Sequence, residues 1–336
     1  MTRGFHTNHQ QMFGQLIIGP PGSGKSTYCN GMSQFLSAIG RKVSVINLDP
    51  ANDFLPYKCA VNITDYVSLD QVMHQAGLGP NGGILYALEQ LQENVDDFVE
   101  KVRAIGSADY LLIDCPGQVE LFTHHNSLTQ VIERLTQEVG VRITVVNLID
   151  SVYLTSPAQY VSILLMALRT MLQFNLPQVN VLSKIDLVSS YGPLPFRLDY
   201  YTEVQDLDYI VDAVDEEMQA PKYRGLTRAI AQVVGDFGLV DFQVLAIENK
   251  RSMIHLLGVI DKASGYQFGT SELGGDSVWV DAVRQGGLEI DIHDRWIENK
   301  RFYDAQEDQE QESIAEQFAS RQGEFASDFS ARVVRK

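Results

Sequence analysis

One stretch near the N-terminus, residues 14–27 with the sequence GQLIIGPPGSGKST, constrains the fold of this chain more than any other. Residues 16–18 are apolar and predict a buried strand, and residues 28–39 have the spacing of a helix. The turn between them reads G-x-x-x-x-G-K-S. Glycines let backbone N–H groups approach phosphate oxygens closely, and the helix N-terminus favours an anion. The stretch therefore predicts a loop that binds a nucleoside triphosphate.

The residue types within this loop assign the individual contacts. Lys25 supplies a mobile positive charge to the β- and γ-phosphates, and the Ser26 hydroxyl is a ligand for Mg²⁺. Further phosphate contacts are predicted for the neighbouring residues Gly22, Ser23, Gly24 and Thr27. The alternative is a glycine-rich turn with a chance lysine, which the preceding strand and following helix disfavour.

The rest of the chain alternates short apolar runs with helical periods. This pattern predicts an α/β fold, a P-loop NTPase with a mostly parallel central sheet and helices on both faces. Strands are predicted over residues 42–48, 110–114, 143–149, 179–183 and 242–247. Helices are predicted over residues 67–75, 84–105, 127–139, 158–174, 226–237 and 252–260. Residues 77–83 predict a loop, residues 52–65 are rich in turns, and residues 188–224 predict a helical insertion.

Composition bounds the domain organisation and the partners. We expect an N-terminal extension over residues 1–12, a P-loop domain over 13–265, and an acidic, partly disordered C-terminal extension over 266–336. The net charge of −17 disfavours nucleic acid and anionic membranes as direct partners. The three cysteines indicate a reducing compartment. Neither a secretory signal nor a bilayer-spanning stretch is predicted.

A second motif, D-x-x-G, begins where the strand over residues 110–114 ends. Asp114 at such a strand end can hold Mg²⁺ through a water, and the Gly117 N–H can contact a γ-phosphate. The Gln118 amide could orient an attacking water, and Glu120 could accept a hydrogen bond from that water. The alternative is a strand-terminal aspartate that caps the next helix.

A third motif, Ser183-Lys184-Ile185-Asp186, fits the [ST]-K-x-D pattern after a strand. Guanine presents two adjacent N–H donors, and the Asp186 carboxylate can accept both, whereas adenine would leave this charge unpaired. Lys184 can cover the face of the base. A further base contact is expected from the last strand near Ala246, on a weak signal. The alternative for the motif is a lysine and an aspartate on a surface loop.

Asp49 closes the second predicted strand in the sequence NLDPA. In a phosphate-loop enzyme this position can reach a water bound to Mg²⁺ or an attacking water. The alternative is an aspartate that only starts the turn before Pro50.

Together with Gly79-Pro80-Asn81, these motifs resemble the GPN-loop GTPases over residues 13–265, and most of all one of the three eukaryotic paralogues. The resemblance implies GTP and GDP as ligands, Mg²⁺ as cofactor, and a homodimer or a heterodimer with another GPN-loop GTPase. It implies that Asn81 acts in the partner's site. The resemblance also implies water-placing and Mg²⁺-binding roles at the matching residues, which are Asp49, Gln118 and Glu120 for the water and Ser26 and Asp114 for the ion.

The family resemblance further implies work with chaperones in the assembly and nuclear import of RNA polymerase II. We expect a slow GTPase that is cytoplasmic, with shuttling to the nucleus left open. Residues 244–248 depart from the family's proline-containing sequence, so the base contact there stays open. Two alternatives are an assembly scaffold that uses GTP as a structural ligand, and a P-loop kinase.

Overall fold

The computed structural model describes residues 11–52, 54–107, 109–218, 221–266 and 291–310. The chain divides into two compact units between Leu288 and Glu289. The first unit contains a seven-stranded sheet in the order β3-β2-β4-β1-β5-β6-β7, and every neighbouring pair is parallel. The strands are β1 Phe13–Ile18, β2 Val43–Asn47, β3 Cys59–Asn62, β4 Tyr110–Asp114, β5 Arg142–Asp150, β6 Gln178–Ser183 and β7 Phe242–Leu245.

Eleven helices are described in the first unit, and the sheet is covered on both faces. They are α1 Lys25–Ala38, α2 Leu69–Ala76, α3 Pro80–Glu93, α4 Val95–Ile105, α5 Ser127–Arg134, α6 Pro157–Phe174, α7 Val188–Tyr191, α8 Leu198–Glu203, α9 Asp208–Met218, α10 Arg224–Phe237 and α11 Lys250–Ser264. No helix in the described part of the chain is long and apolar enough to cross a membrane.

The two faces of β1 show how the sheet divides the core. Leu16 and Ile18 pack into one apolar layer with residues of α3, α4 and α5. Ile17 points to the other face and packs with residues of α1 and α11. Both layers are buried because a parallel sheet with helices on both sides leaves neither face to water. The predicted α/β class, with its parallel sheet and two helical layers, is confirmed.

Three local predictions were wrong. Residues 77–83 are not all loop, because α3 begins at Pro80. The single helix predicted over 84–105 is two helices, separated at Asn94, whose side-chain amide donates to the Gln90 carbonyl at 2.8 Å. The turn-rich stretch 52–65 contains the edge strand β3. The helix predicted over 127–139 is confirmed, with α-helix to Arg134 and a π-helical turn over residues 135–139.

The predicted insertion contains α7, α8, α9 and the start of α10. It is fixed to α6 through two buried tyrosines that pack edge to face with ring centroids 4.9 Å apart. The Tyr160 hydroxyl donates a hydrogen bond to the Tyr201 carbonyl at 2.9 Å. Glu217 of α9 accepts hydrogen bonds from Ser156 and from the Ala158 N–H at the start of α6.

The second unit is described over residues 291–310. A π-helical turn covers Asp294–Glu298, and residues 300–310 are helical. The buried Arg295 guanidinium forms ion pairs with Asp304 and Glu307, both at 2.9 Å. The predicted tail therefore contains ordered helix within residues 291–310, whereas residues 267–290 and 311–336, like residues 1–10 of the N-terminal extension, lie outside the described residues.

Candidate active site

The carboxyl ends of the parallel strands meet at one edge of the sheet, where such folds bind ligands. The loop of residues 19–24 leaves the central strand β1 at this edge and leads into α1. Gly19 has a φ of 145°, and a Cβ there would lie 2.1 Å from the Leu148 carbonyl oxygen of β5. Only glycine fits, because both the backbone conformation and the space exclude a side chain.

Lys25 is buried beneath this loop. Its ammonium group donates to the carbonyl oxygens of Gly19 at 3.0 Å and Pro20 at 3.1 Å. Burial lowers the pKa of Lys25, and the charges of Asp114 and Asp49 oppose that shift. A cation held near two carboxylates in a buried pocket is suited to bind the β- and γ-phosphates. Gly22, Ser23 and Gly24 complete the loop, and Thr27 is exposed on α1.

Asp114 and Ser26 provide the candidate Mg²⁺ ligands. Burial raises the pKa of Asp114, while the hydrogen bond from Tyr57 and the nearby hydroxyl of Ser26 oppose the shift. Its Oδ2 accepts a hydrogen bond from the Tyr57 hydroxyl at 2.7 Å. Its Oδ1 is buried and has no hydrogen-bond partner among the described residues. Mg²⁺ prefers hard oxygen ligands, so a carboxylate with an unpartnered oxygen beside a hydroxyl fits this ion.

Asp49 lies next to this pair, at the end of β2. Its carboxylate accepts a hydrogen bond from the Ala51 N–H at 3.0 Å, as a turn-starting aspartate does. Burial raises its pKa, and the Lys25 charge lowers it. The structure therefore brings Asp49 into electrostatic contact with the phosphate lysine, although the turn interpretation of its backbone is also correct.

Gly117 approaches the phosphate loop closely. A Cβ on Gly117 would lie 2.9 Å from the Lys25 ammonium nitrogen and 3.1 Å from the Pro21 Cα. The next residue, Gln118, is buried, and its amide donates to the Asn81 side-chain oxygen at 3.1 Å. The exposed Asn81 lies in the first turn of α3. The D-x-x-G loop therefore contacts both the phosphate loop and Asn81.

Glu120 is not joined to this group by any described side-chain contact. Its side chain is exposed, and its carbonyl oxygen accepts hydrogen bonds from the backbone N–H groups of His124 and His125, both at 2.9 Å. In this conformation the backbone of Glu120 closes a turn.

The third motif begins at Ser183, the last residue of β6, which pairs with Leu245 at the end of β7. The buried hydroxyl of Ser183 donates to the carbonyl oxygens of Ser23 at 2.8 Å and Ile149 at 3.2 Å. The Lys184 ammonium group pairs with Asp150 at 2.7 Å, which raises the pKa of Lys184. Asp186 is half-buried in the turn that follows. The hydroxyl of Ser183 thus ties the base-binding end to the phosphate loop.

Ala246 is buried directly after β7. Its backbone N–H donates to the Ser252 hydroxyl at 3.1 Å. A contact from this N–H to a base would have to replace or share that hydrogen bond.

Three polar residues in the site were missed by the sequence analysis. Asn52 donates its side-chain amide to the Ser26 hydroxyl at 3.1 Å, Tyr57 holds Asp114, and Asp150 holds Lys184. Asn52 lies two residues beyond Pro50, and this proximity is the signal that could have found it. The other two are joined to their partners only by the fold.

Comparison with known proteins identifies the family. A family model described as a conserved hypothetical ATP binding protein matches residues 17–266. GPN-loop GTPase 2 of Saccharomyces cerevisiae is 55% identical over 309 residues, covering 90% of this chain and 89% of the yeast protein. The chain belongs to the GPN-loop GTPase family. The resemblance that the motifs predict is therefore confirmed.

Other relatives agree. GPN-loop GTPase 2 of Schizosaccharomyces pombe is 48% identical, covering 88% of this chain and 94% of that protein. GPN-loop GTPase QQT1 of Arabidopsis thaliana is 51% identical over 76% of this chain and 86% of its own length. The chain is accordingly a GTPase that binds guanine nucleotide, as Asp186 predicts, and the kinase alternative is set aside.

The fold has a solved counterpart. The crystal structure of a GTPase from Pyrococcus abyssi in apo form matches 77% of this chain and 99% of its own, with a TM-score of 0.61 and 24% identity. This similarity supports the fold assignment alone.

Proposed function

We propose that this GPN-loop GTPase is a slow, dimeric switch in which the γ-phosphate controls the position of Asn81. The hydrogen bond between Gln118 and Asn81 is the observation that carries the proposal. It joins the loop that faces the phosphates to the first turn of α3 within one chain. A movement of Gln118 must therefore either move Asn81 or break their hydrogen bond.

The close approach of Gly117 to Lys25 makes the switch respond to the γ-phosphate. A γ-phosphate bound by Lys25 needs space beside the ammonium nitrogen, where Gly117 leaves less than a methyl group's room. Gly117 must therefore shift when the third phosphate enters, and Gln118 shifts with it. Loss of that phosphate lets the pair return, so the Asn81 position reports the nucleotide state.

Hydrolysis in this proposal uses neutral and acidic groups. Gln118 orients the attacking water, and Asp49 and Glu120 accept hydrogen bonds from it. Asn81 donates to phosphate oxygens without adding a full charge. Arginine contributes charge at the equivalent step in other GTPases, so we expect slower turnover here. In the described conformation Gln118 is engaged with Asn81, and Glu120 must move to join it.

Ser26 and Asp114 are the residues proposed to hold Mg²⁺. When bound, the ion supplies positive charge beside the β- and γ-phosphates. The unpartnered Oδ1 of Asp114 and the hydroxyl of Ser26 supply the oxygen ligands.

We also propose that the protein works as a dimer and acts on client proteins. Asn81 is exposed, so a second chain can receive it. The family resemblance suggests another copy or another GPN-loop GTPase as partner, and RNA polymerase II subunits with chaperones as clients. A net charge of −17 suits basic protein surfaces. Work in the cytoplasm, with shuttling to the nucleus, follows from the same resemblance.

Mixing two inactive variants tests action in the partner's site. Asn81→Ala keeps the phosphate lysine, and Lys25→Ala keeps Asn81. Each alone should hydrolyse GTP at least tenfold more slowly than wild type in single-turnover assays with Mg²⁺. The mixture should recover part of the lost rate, and recovery should rise with protein concentration. Gln90→Ala, an amide variant on the same helix, should behave as wild type in every assay.

Two results would contradict the proposal. If Asn81→Ala is slow and no mixture recovers, Asn81 acts within its own chain. If Asn81→Ala and Gln118→Leu both hydrolyse GTP at the wild-type rate while GTP binds tightly, the protein is an assembly scaffold with GTP as a structural ligand.

A further inference from the structure

The segment that connects β2 to β3 contacts both proposed Mg²⁺ ligands. Asn52 donates to the Ser26 hydroxyl at 3.1 Å, and the Tyr57 hydroxyl donates to Asp114 Oδ2 at 2.7 Å. Both contacts come from uncharged donors within six positions of the chain. Each of these side chains is engaged with a proposed ligand, so in this structure both act on the ligands rather than as ligands.

The two oxygens of the Asp114 carboxylate differ because of Tyr57. Oδ2 accepts the hydrogen bond from the phenol, whereas Oδ1 is buried and no residue in the described part of the chain is hydrogen-bonded to it. The terminal torsion of an aspartate is broad, so packing alone fixes its carboxylate plane weakly. A short hydrogen bond to one oxygen removes this freedom and leaves the other oxygen available.

We propose that Tyr57 is a positioning residue for the GTPase reaction, which holds the Asp114 carboxylate so that Oδ1 faces the Mg²⁺ of bound nucleotide. The inference rests on the proposed function of Asp114 and Ser26 as the Mg²⁺ site. Outer hydrogen-bond partners of metal ligands set ligand orientation and commonly change metal affinity by tenfold or more when removed.

The phenol suits this role chemically. Tyr57 is 9% exposed, and a phenol with the usual tyrosine pKa of about 10 is protonated at physiological pH. The hydroxyl therefore stays protonated and remains a donor at every physiological pH. Phenylalanine would preserve the ring and its packing but would leave Oδ2 without its donor.

Release of a fluorescent GDP analogue from the full-length protein tests the role of Tyr57. The release rate is measured while Mg²⁺ is titrated, and again in excess EDTA. Tyr57→Phe should raise the Mg²⁺ concentration at half-effect by about tenfold and leave the EDTA rate unchanged. Saturating Mg²⁺ should restore the wild-type release rate. Tyr160→Phe is the matched control, since it removes a buried phenol bond of 2.9 Å outside the site, and it should change neither quantity.

Asp114→Asn distinguishes an error in the proposed Mg²⁺ site from an error in the positioning role of Tyr57. If this variant leaves the Mg²⁺ midpoint unchanged, the proposed Mg²⁺ site is wrong and the role of Tyr57 falls with it. If Asp114→Asn raises the midpoint but Tyr57→Phe does not, only the positioning role is overturned. A Tyr57→Phe variant that releases GDP faster in EDTA as well would also overturn it, because the phenol would then support the nucleotide pocket in general.

Discussion

The phosphate end and the base end of this site are built differently. At the phosphate end, Lys25, Asp49 and Asp114 are brought together in a buried pocket. Burial lowers the pKa of Lys25 and raises the pKa of Asp49 and of Asp114, so it favours the neutral form of each group. At the base end, Asp186 is half-buried in a turn, and Lys184 is held by an ion pair with Asp150. The charged groups at the phosphate end are buried at a cost in stability, whereas those at the base end lie near solvent.

This contrast indicates what each end requires from the sequence. The phosphate end depends on backbone shape and on close approaches that tolerate no additional atom. The base end depends on the identity of one carboxylate. Substitutions should therefore affect folding and binding together at the phosphate end, and should affect specificity with little effect on folding at the base end.

Gly19→Ala should have the largest effect. The added Cβ would meet the Leu148 carbonyl oxygen at 2.1 Å, at a φ of 145° that side chains rarely adopt. We expect a loss of unfolding free energy on the order of 3 kcal/mol and loss of detectable GTP binding. Thermal unfolding and nucleotide titration measure both. Gly225→Ala, where a Cβ meets nothing within 4 Å, should leave both unchanged. Normal GTP binding by Gly19→Ala would refute a rigid phosphate end.

Asp186→Asn should have the second largest effect, on nucleotide affinity and specificity with little effect on stability. An amide has one acceptor oxygen, so one of the two hydrogen bonds from guanine is lost and the other no longer goes to a charged group, and affinity for GTP should fall by about 10²- to 10³-fold. The amide can instead serve xanthine, which presents one donor and one acceptor, so XTP should bind better than to wild type. The melting temperature should stay within about 1 °C. Asp212→Asn, on the exposed side of α9, is the control. Unchanged discrimination between GTP and ATP would remove Asp186 from base recognition.

Asp114→Asn should have a small effect on stability, in the opposite direction to that of Gly19→Ala. Burial raises the pKa of Asp114, so the native state binds more protons than the unfolded state between the usual aspartate value of 3.8 and the raised value. Wild-type stability therefore falls as pH rises through this window. Without nucleotide or Mg²⁺, the variant should match wild type below the window and melt about 2 °C higher at pH 7. A lower melting temperature at pH 7 would mean that Asp114 stabilises the empty site.

The sequence predicted the sheet and the motif positions because each phosphate or base motif follows a buried strand. Apolar runs such as residues 110–114 are strong signals, and parallel strands place their carboxyl ends together. The edge strand β3 was missed because it has only four residues and alternates in burial next to a turn-rich segment. Short edge strands take their structure from a neighbour, here β2.

The start of α3 was misjudged for a different reason. Proline in the first turn is a helix-start signal, but Gly82 and Gly83 next to it suggest a loop. The structure explains Gly83 by packing, because a Cβ there would lie 2.8 Å from Leu69 Cδ1 on α2. Tyr57 lies 57 residues from Asp114 in the chain, so no local sequence pattern could predict their hydrogen bond.

The hydroxyl of Ser183 has a consequence for protein engineering. The first residue of the [ST]-K-x-D motif reaches the phosphate loop through its bond to the Ser23 carbonyl. A redesign of base preference can therefore vary Lys184 and Asp186, but a transplanted motif without a hydroxyl at its first position would loosen the phosphate loop as well. Threonine would be an acceptable replacement there, and alanine would not.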